Sequence, residues 1–213
     1  VGVDMVDLAD IEIRPATPDQ GEQAAELLYT TARPIFDYLY GPDPTLRAGI
    51  LAQLWQAEES MFSHSHALGA YRDDGTLMGI ELGFDESAEA AAFAGTYAAM
   101  SDHLSKDQLA QIGERRRPFV YLTPFTPPGN YCVHNLAVTD TDKVPGLGRL
   151  LLQGAFQRAA DAGYKQVCLD VMDTNPAVGF YLHLGMHLAC EVRIPDLIEQ
   201  HGLPSIYRMV MDL

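Results

Sequence analysis

The hydrophobic pattern of the first part of the chain changes period several times. Apolar and polar residues alternate over 11–14, which is the pattern of a half-buried strand. Over 17–32 and 46–61 apolar residues instead recur every three or four positions, so both segments are predicted to be helices. Pro34 is predicted to close the first of them.

Two apolar runs, 67–72 and 77–84, flank an Asp-Asp-Gly-Thr turn and predict a β-hairpin. The sequence then becomes rich in alanine and ends in a proline-rich stretch, so that 85–128 has the composition of helices followed by a loop. We predict that 85–128 is a helical insertion between the third and fourth strands.

The last third has the clearest succession of strand and helix signals. A strand over 131–138 leads through a glycine-containing loop into a helix over 148–162, and a second strand follows over 165–172. Such a unit makes a right-handed crossover, so the two strands are expected to be parallel neighbours. The rest of this region is predicted to be a short helix and two strands, at 176–184, 186–193 and 206–211.

Composition indicates the number of domains and excludes some classes of binding partner. The 213 residues are 47% apolar and 20% charged, as in globular proteins, and the length suits one domain over 11–213 with 1–10 as an N-terminal extension. Fourteen basic against 29 acidic side chains give a formal charge of −15. Nucleic acid and anionic membranes both need clustered cations, so neither is expected as a partner.

The cysteines and the N-terminus bear on metal binding and location. Cys132, Cys168 and Cys190 have neither disulfide nor zinc spacing, and no histidine pair has metal-ligand spacing, so no metal ion is predicted. No apolar run approaches the roughly 18 residues of a membrane span, and Val1-Gly2-Val3-Asp4 lacks the basic character of a signal peptide. A cytoplasmic location is therefore expected.

The main chemical signal lies between the strand and the helix of the crossover unit. A strand ending in Leu136-Ala137-Val138 is followed by the loop Lys143-Val144-Pro145-Gly146-Leu147-Gly148, and a helix begins there. Two glycines at such a junction let backbone N–H groups converge, and the helix start adds unpaired N–H groups and the positive end of its dipole. The junction therefore favours a phosphate or pyrophosphate. Position 151 is Leu rather than the third glycine of a dinucleotide fingerprint, and no Gly-Lys-Ser/Thr follows for a P-loop.

This segment resembles the core motif of the GNAT (GCN5-related N-acetyltransferase) family. In that family a similar strand end is followed by Gln/Arg-x-x-Gly-x-Gly/Ala at the start of a helix, and Leu136 to Gly148 keeps the spacing, with Lys143 in the Gln/Arg place. The resemblance implies the GNAT acyl-CoA N-acyltransferase fold: an α/β (α+β) architecture with a mixed, mostly antiparallel sheet flanked by helices. It further implies that the two parallel strands splay apart where the cofactor enters.

The resemblance also implies a binding mode for the donor, acetyl-CoA. The backbone of the strand end is expected to hold the pantetheine arm, and the loop the pyrophosphate. The implied contacts are Leu136, Ala137, Val138, Lys143, Val144, Gly146, Leu147, Gly148 and Arg149. Pro145 has no N–H to donate.

A second block, from Asn175 to Met186, resembles the family pattern Asn-x-x-Ala-x-x-x-Tyr-x-x-x-Gly-Phe. Tyr181 keeps its spacing to Ala177 and Gly185, whereas one residue is missing between Asn175 and Ala177. The resemblance implies that Tyr181 faces the cofactor sulfur and protonates the departing thiolate, and that Asn175 contacts the cofactor. A buried aromatic on an amphipathic helix is the alternative interpretation of Tyr181.

His134 is the candidate general base. It lies two residues before Leu136, so strand alternation predicts that both side chains share one face of the sheet. Histidine titrates near neutral pH, which suits the removal of a proton from an amine. Glu81 and Tyr131 are alternative bases, and a purely structural histidine is the other interpretation of His134.

The predicted activity is direct transfer of an acetyl group from acetyl-CoA to a primary amine. The acceptor is a small molecule or a peptide, and its identity is left open by the sequence. The alternative is a non-catalytic acyl-CoA-binding regulatory domain. Whether the chain is a monomer or a homodimer is also left open.

Overall fold

The computed structural model describes residues 7–213. Residues 1–6 of the predicted N-terminal extension, including the Val1-Gly2-Val3-Asp4 segment, lie outside the described residues. The strands are β1 (Ile11–Pro15), β2 (Ala67–Arg72), β3 (Leu77–Asp85), β4 (Asn130–Val138), β5 (Gln166–Met172), β6 (His187–Val192) and β7 (Ile206–Asp212). The helices are α1 (Gly21–Thr31), α2 (Arg33–Tyr40), α3 (Pro44–Gln56), α4 (Glu86–Ser101), α5 (Lys106–Arg116), α6 (Phe119–Leu122), α7 (Leu147–Asp161), α8 (Ala177–His183) and α9 (Pro195–His201).

The strands form one mixed sheet in the order β1-β2-β3-β4-β5-β7-β6. The pair β4–β5 is parallel, as the crossover through α7 requires. The other neighbouring pairs are antiparallel. The predicted fold class, a mostly antiparallel sheet flanked by helices, is confirmed.

The sheet opens between the carboxyl-terminal halves of its two parallel strands. Pairing between β4 and β5 runs from Asn130–Gln166 to Val133–Leu169 and ends there among the described residues. Beyond that point β4 stays bonded to β3 and β5 to β7, so the two strands part. The predicted splay is confirmed.

A β-bulge lies in β4 at the start of this opening. Leu82 of β3 pairs with Asn135 and Gly83 pairs with Val133, so His134 is the extra residue on β4. A bulge shifts the alternation of side chains between the two faces of a sheet. Counting alternate residues along β4 therefore does not show which face of the sheet the residues on either side of His134 occupy.

Helices cover both faces of the sheet. On one face α1 and α3 pack against Ile80, Leu82 and Phe84 of β3. On the other face α7 and α8 pack against apolar residues of β4 and β5 that include Val133 and Leu169. These helices bury apolar side chains against the sheet, which gives the three-layer arrangement a core on each face.

The predicted insertion consists of α4, α5 and α6 between β3 and β4. α4 lies close against the chain after α3: a Cβ on Gly95 would overlap the backbone oxygen of Glu59, and Thr96 accepts a hydrogen bond from Met61 N at 2.7 Å. The proline-rich end of the insertion is held by Arg208, which donates to the carbonyl oxygens of Pro124 and Phe125. The insertion is thus packed against the body of the fold.

Three helices were not predicted: α2, α9 and the short α6, which lies in the proline-rich stretch expected to be a loop. Pro34 was expected to close the first helix, and it does follow the end of α1, but it also occupies the first turn of α2. Pro195 occupies the first turn of α9 in the same way. Proline suits this position because the first N–H groups of a helix have no intrahelical partner.

Candidate functional site

The loop between β4 and α7 is anchored by its apolar side chains. Val144 and Leu147 are buried beside Met78 and Leu151, and Leu147 N donates to Val144 O at 3.2 Å. Gly146 caps α7 with φ +88°, a left-handed conformation that glycine adopts without strain. Because the side chains point into the protein, the backbone of the loop is turned outward.

The first turn of α7 carries unpaired backbone donors. Among the described residues, the N–H groups of Gly146, Gly148 and Arg149 have no hydrogen-bond acceptor. Gly148 lies beside Val138, at the end of β4. These donors and the positive end of the helix dipole are groups that could hold an anion. Leu147, one of the implied contacts, instead uses its N–H within the loop.

Acidic residues in this loop are paired with cations. Lys143 Nζ lies 3.2 Å from Asp140 Oδ1, and Arg72 Nη2 lies 3.3 Å from Asp142 Oδ2. The Lys143 side chain is 71% exposed, and an exposed ion pair is weak enough to exchange for another anion. Lys143 can therefore turn toward a phosphate as a point charge.

Tyr181 lies in the core beneath the opening of the sheet. It is 8% exposed and packs with Val133 of β4, Val171 of β5 and Met186. Burial raises the pKa of Tyr181 to about 12. Its hydroxyl has no hydrogen-bond partner within residues 7–213, so a protonated donor is available on the α7–α8 face.

Asn175 forms the turn that leads into the helix that carries Tyr181. Its Oδ1 accepts a hydrogen bond from Ala177 N at 2.9 Å, and its backbone oxygen accepts from Val178 N at 3.1 Å. The short spacing between Asn175 and Ala177 is therefore accommodated as a tight turn into α8. The side-chain nitrogen of Asn175 remains the group that could contact a cofactor.

His134 does not share a face with Leu136, and that prediction was wrong. Because His134 is the bulged residue, its ring packs against Phe62 and Phe84, at centroid distances of 5.7 and 5.8 Å, on the face covered by α1 and α3. Leu136 instead packs on the α7 face. Burial, with smaller contributions from the charges of Arg116 and Arg208, lowers the pKa of His134 to about 4. Its imidazole is therefore neutral at physiological pH.

Asn135, which the sequence analysis did not single out, lies on the same face. Its Nδ2 donates to Thr31 Oγ1 at 2.9 Å, and the Thr31 hydroxyl donates to Leu28 O at 2.7 Å. Because the single proton of Thr31 is used on Leu28, the amide of Asn135 must present its nitrogen to Thr31. Its Oδ1 is then left buried and without a partner among the described residues. The signal in the sequence is an amide within an otherwise apolar strand.

Glu81 and Tyr131 belong to a separate network on the α7 face. Glu81 is 1% exposed; Tyr131 Oη donates to its Oε1 at 3.2 Å, and Arg158 of α7 forms an ion pair with its Oε2. Burial raises the pKa of Glu81, and burial also raises the pKa of Tyr131. Each carboxylate oxygen thus has a partner within the protein, which favours a structural role over that of a base.

Neither metal sites nor membrane-spanning helices are found in the described part of the chain. No group of three or more His, Cys, Asp or Glu side chains there could hold a metal ion. The helices formed by residues 7–213 are too short or too polar to cross a bilayer.

No family model and no curated protein matches the sequence. Solved structures do match it along almost its whole length. An N-acetyltransferase from Staphylococcus aureus Mu50 aligns with a TM-score of 0.70 and 13% identity, over 94% of this chain and 100% of that chain. A GCN5-related N-acetyltransferase from Kribbella flavida aligns with a TM-score of 0.56 and 17% identity, over 96% and 99% of the two chains.

The protein has the GCN5-related N-acetyltransferase fold. A third structure with this fold, a Bacillus subtilis acetyltransferase in complex with CoA, aligns with a TM-score of 0.51 and 14% identity, over 95% and 97% of the two chains. At these identities the likeness establishes the fold. Within the acetyltransferase fold, the opening between β4 and β5 and the loop at Gly146 lie at one end of the sheet.

Proposed function

We propose that the protein is an N-acetyltransferase that transfers an acetyl group from acetyl-CoA to a primary amine. The observation that carries the proposal is the position of the candidate anion site. The unpaired N–H groups at Gly146 and Gly148 follow directly on β4, at the end where β4 parts from β5. An extended molecule with a phosphate at one end can therefore lie along β4 and enter the sheet.

The backbone of β4 offers the contacts for such a molecule. Leu136, Ala137 and Val138 pair with β3 on one edge, and their other edge faces the opening. Peptide-like amides add to a free strand edge by backbone hydrogen bonds, which suits the pantetheine arm. The N–H groups of Gly146, Gly148 and Arg149, with Lys143 beside them, suit the pyrophosphate.

The proposed reaction is a direct attack within this opening. The amine nitrogen forms a bond to the acetyl carbon, the carbon–sulfur bond breaks, and the nitrogen loses a proton while the sulfur gains one. Tyr181 supplies the proton to sulfur, since the raised pKa of its hydroxyl keeps it protonated. Backbone N–H groups at the end of β4 polarise the acetyl carbonyl oxygen.

His134 is proposed to receive the proton of the amine from the opposite face. Its low pKa of about 4 keeps its lone pair free at neutral pH but makes the imidazolium short-lived. His134 therefore passes the proton on to solvent and does not store it. Asn135, with its unpartnered Oδ1 on the same face, is a hydrogen-bond acceptor that orients the amine or a water beside it.

Turnover of acetyl-CoA with a panel of primary amines tests the proposal. We expect thiol release above the rate with acetyl-CoA alone for at least one amine, and one acetyl-CoA bound per chain by titration calorimetry. Binding of acetyl-CoA with no turnover on any amine would favour the regulatory-domain alternative. Absence of any coenzyme A binding would overturn the donor assignment as well.

A further inference from the structure

A cavity of about 340 Å³ lies at the carboxyl-terminal end of β5, where β5 parts from β4. Asp173 and Thr174, the residues directly after β5, form one wall. Pro34 of α2, Ile198 of α9 and Leu203 supply apolar surface. The volume is at the lower end of the range of small-molecule sites, which run from about 300 to 1,000 Å³.

Asp173 is held in place but has an oxygen without a partner. Its backbone N–H donates to Ser205 O at 3.0 Å, which ties the end of β5 to the start of β7. Its Oδ1 is buried and has no hydrogen-bond partner among the described residues. A buried carboxylate oxygen without a donor is unfavourable. Asp173 as a whole is half-buried and lines the cavity, so a cation that enters can pair with its carboxylate.

Arg193 is the cationic side chain that lines this cavity, but it does not pair with Asp173. Its Nε lies 3.8 Å from Glu191 Oε1, and its side chain is 66% exposed. The guanidinium is thus turned toward Glu191 and water. Pro34, Ile198 and Leu203 leave room for a short alkyl chain, and the Thr174 and Ser205 hydroxyls that also line the cavity form no hydrogen bond with Asp173 Oδ1.

We propose that this cavity binds a cationic group of the acceptor, with the Asp173 carboxylate as its counter-ion. The inference rests on the proposed function insofar as it names the ligand as the acceptor. The acceptor class is then a primary amine joined by a short alkyl chain to a second ammonium or guanidinium group. One end reaches the opening between β4 and β5, and the other pairs with Asp173. The formal charge of −15 attracts such cations from solution.

Calorimetric titration with a matched ligand pair tests the cavity without turnover. The pair is 1-aminobutane and 1-butanol at pH 7.5, which differ by the ammonium group that would pair with Asp173. We expect the wild-type protein to bind the amine at least about tenfold more tightly than the alcohol, as for a charge-assisted hydrogen bond. Asp173→Asn should remove this preference. Equal binding of the amine and the alcohol by the wild type, or a preference that survives Asp173→Asn, would refute the proposal.

Two further variants separate a local effect from general charge or folding. Asp196→Asn removes the same charge on α9 outside the cavity lining and should keep the preference for the amine over the alcohol. Arg193→Gln removes an exposed competing cation, so we expect an affinity for 1-aminobutane about two- to threefold higher. An unchanged or weaker affinity in Arg193→Gln contradicts the proposal even if Asp173→Asn fails to fold.

Steady-state kinetics with 1,4-diaminobutane and 1-aminobutane then separates this inference from the proposed function, because only the diamine can pair with Asp173 through one nitrogen and react through the other. Turnover with equal kcat/KM for both amines would leave the acetyltransferase proposal standing and refute the Asp173 site. Binding of 1-aminobutane that depends on Asp173, without turnover of either amine, would support the Asp173 site and count against the proposed transferase.

Discussion

His134 lies edge-on against Phe84, with the two ring centroids 5.8 Å apart and the ring planes at 67°. The contact exists because the bulge in β4 turns His134 onto the face covered by α1 and α3. An imidazolium is poorly solvated among aromatic rings, so the neutral form is favoured and the pKa is lowered to about 4. His134 is therefore neutral before a substrate binds.

The first prediction concerns the titration of this histidine. We expect the His134 imidazole signals in NMR spectra to stay constant between pH 5.5 and 8, because its folded-state pKa is about 4. In the unfolded chain histidine titrates near 6.5, so the unfolded state binds more protons between about 4 and 6.5. The contribution of His134 to stability is therefore complete above about pH 6.5 and is lost as pH falls toward 4.

His134→Gln tests the same linkage by urea unfolding. Glutamine does not titrate, so the variant should lose less stability than the wild type between pH 6.5 and 4. Identical pH dependence in both proteins, or a His134 titration centred near 6.5, would show that the ring is solvated and would contradict its burial against Phe84.

Tyr181→Phe should lower kcat by about ten- to a hundredfold and leave the affinity for acetyl-CoA almost unchanged. The phenyl ring keeps the packing with Val133 and Val171, while the proton donor is removed. Stopped-flow thiol release and calorimetry measure the two quantities separately. A large loss of acetyl-CoA affinity with unchanged kcat would assign Tyr181 to binding alone.

Tyr164→Phe is the matched control for this change. The Tyr164 hydroxyl donates to Asp85 Oδ2 at 2.9 Å, at the amino-terminal end of β5 and away from the opening. The same loss of one hydroxyl there should cost stability of about 1 kcal/mol and leave kcat within twofold. A comparable fall in kcat would mean that the Tyr181 effect is not specific.

The order of strands and helices followed from the sequence because periodicity is local. The hairpin around Gly75, the crossover through α7 and the helical insertion each carry their signal within a short segment. The helix α2 was missed because Pro34 was taken only as the end of the preceding helix, and no helix was assigned to the segment that begins at Pro195. Proline also starts helices, and which role it takes depends on the residues that the following segment packs against.

The face of the sheet on which each site residue lies depends on pairing between strands that are distant in the chain. The bulge at His134 is set by its partners Leu82 and Gly83 on β3, about fifty positions away in the chain. Likewise, only the folded structure places Asp173 in a cavity with residues of α2 and α9. The loop at Gly146 could be predicted because its strand, glycines and helix are consecutive.

The buried pair of Glu81 and Arg158 leads to a prediction about stability. Arg158→Met keeps the apolar stem but leaves the Glu81 carboxylate enclosed without its cation, so we expect a loss of about 3 kcal/mol. Adding Glu81→Gln should recover part of that loss, because the uncompensated charge is removed. Urea unfolding of the two single variants and the double variant measures this coupling.

Glu81→Gln also decides whether Glu81 acts as a base. Both of its oxygens are engaged by Tyr131 and Arg158 on the α7 face, so we expect kcat within about threefold of the wild type once the protein is folded. General bases typically contribute a hundredfold or more. A fall of that size in a stably folded Glu81→Gln variant would return Glu81 to the catalytic site and displace His134.

Gly146→Val should weaken acetyl-CoA binding by at least about tenfold. Gly146 has φ +88°, and a branched side chain in this conformation costs about 1–2 kcal/mol, which favours a different backbone path and turns the loop N–H groups away from a common centre. Loss of one charge-assisted hydrogen bond to phosphate is enough for that change in affinity. Calorimetry with acetyl-CoA measures it directly.

Gly163→Val provides the same backbone strain at the other end of α7. Gly163 has φ +84°, and a side chain there would meet no atom within 4 Å, so the penalty is again conformational. Both variants should lose similar stability in urea, but only Gly146→Val should lose affinity for acetyl-CoA. If both bind acetyl-CoA like the wild type, the N–H groups of this loop do not hold the phosphates. If both bind acetyl-CoA weakly, the loss of affinity comes from lower stability, and the result does not assign the binding site of acetyl-CoA to the loop at Gly146.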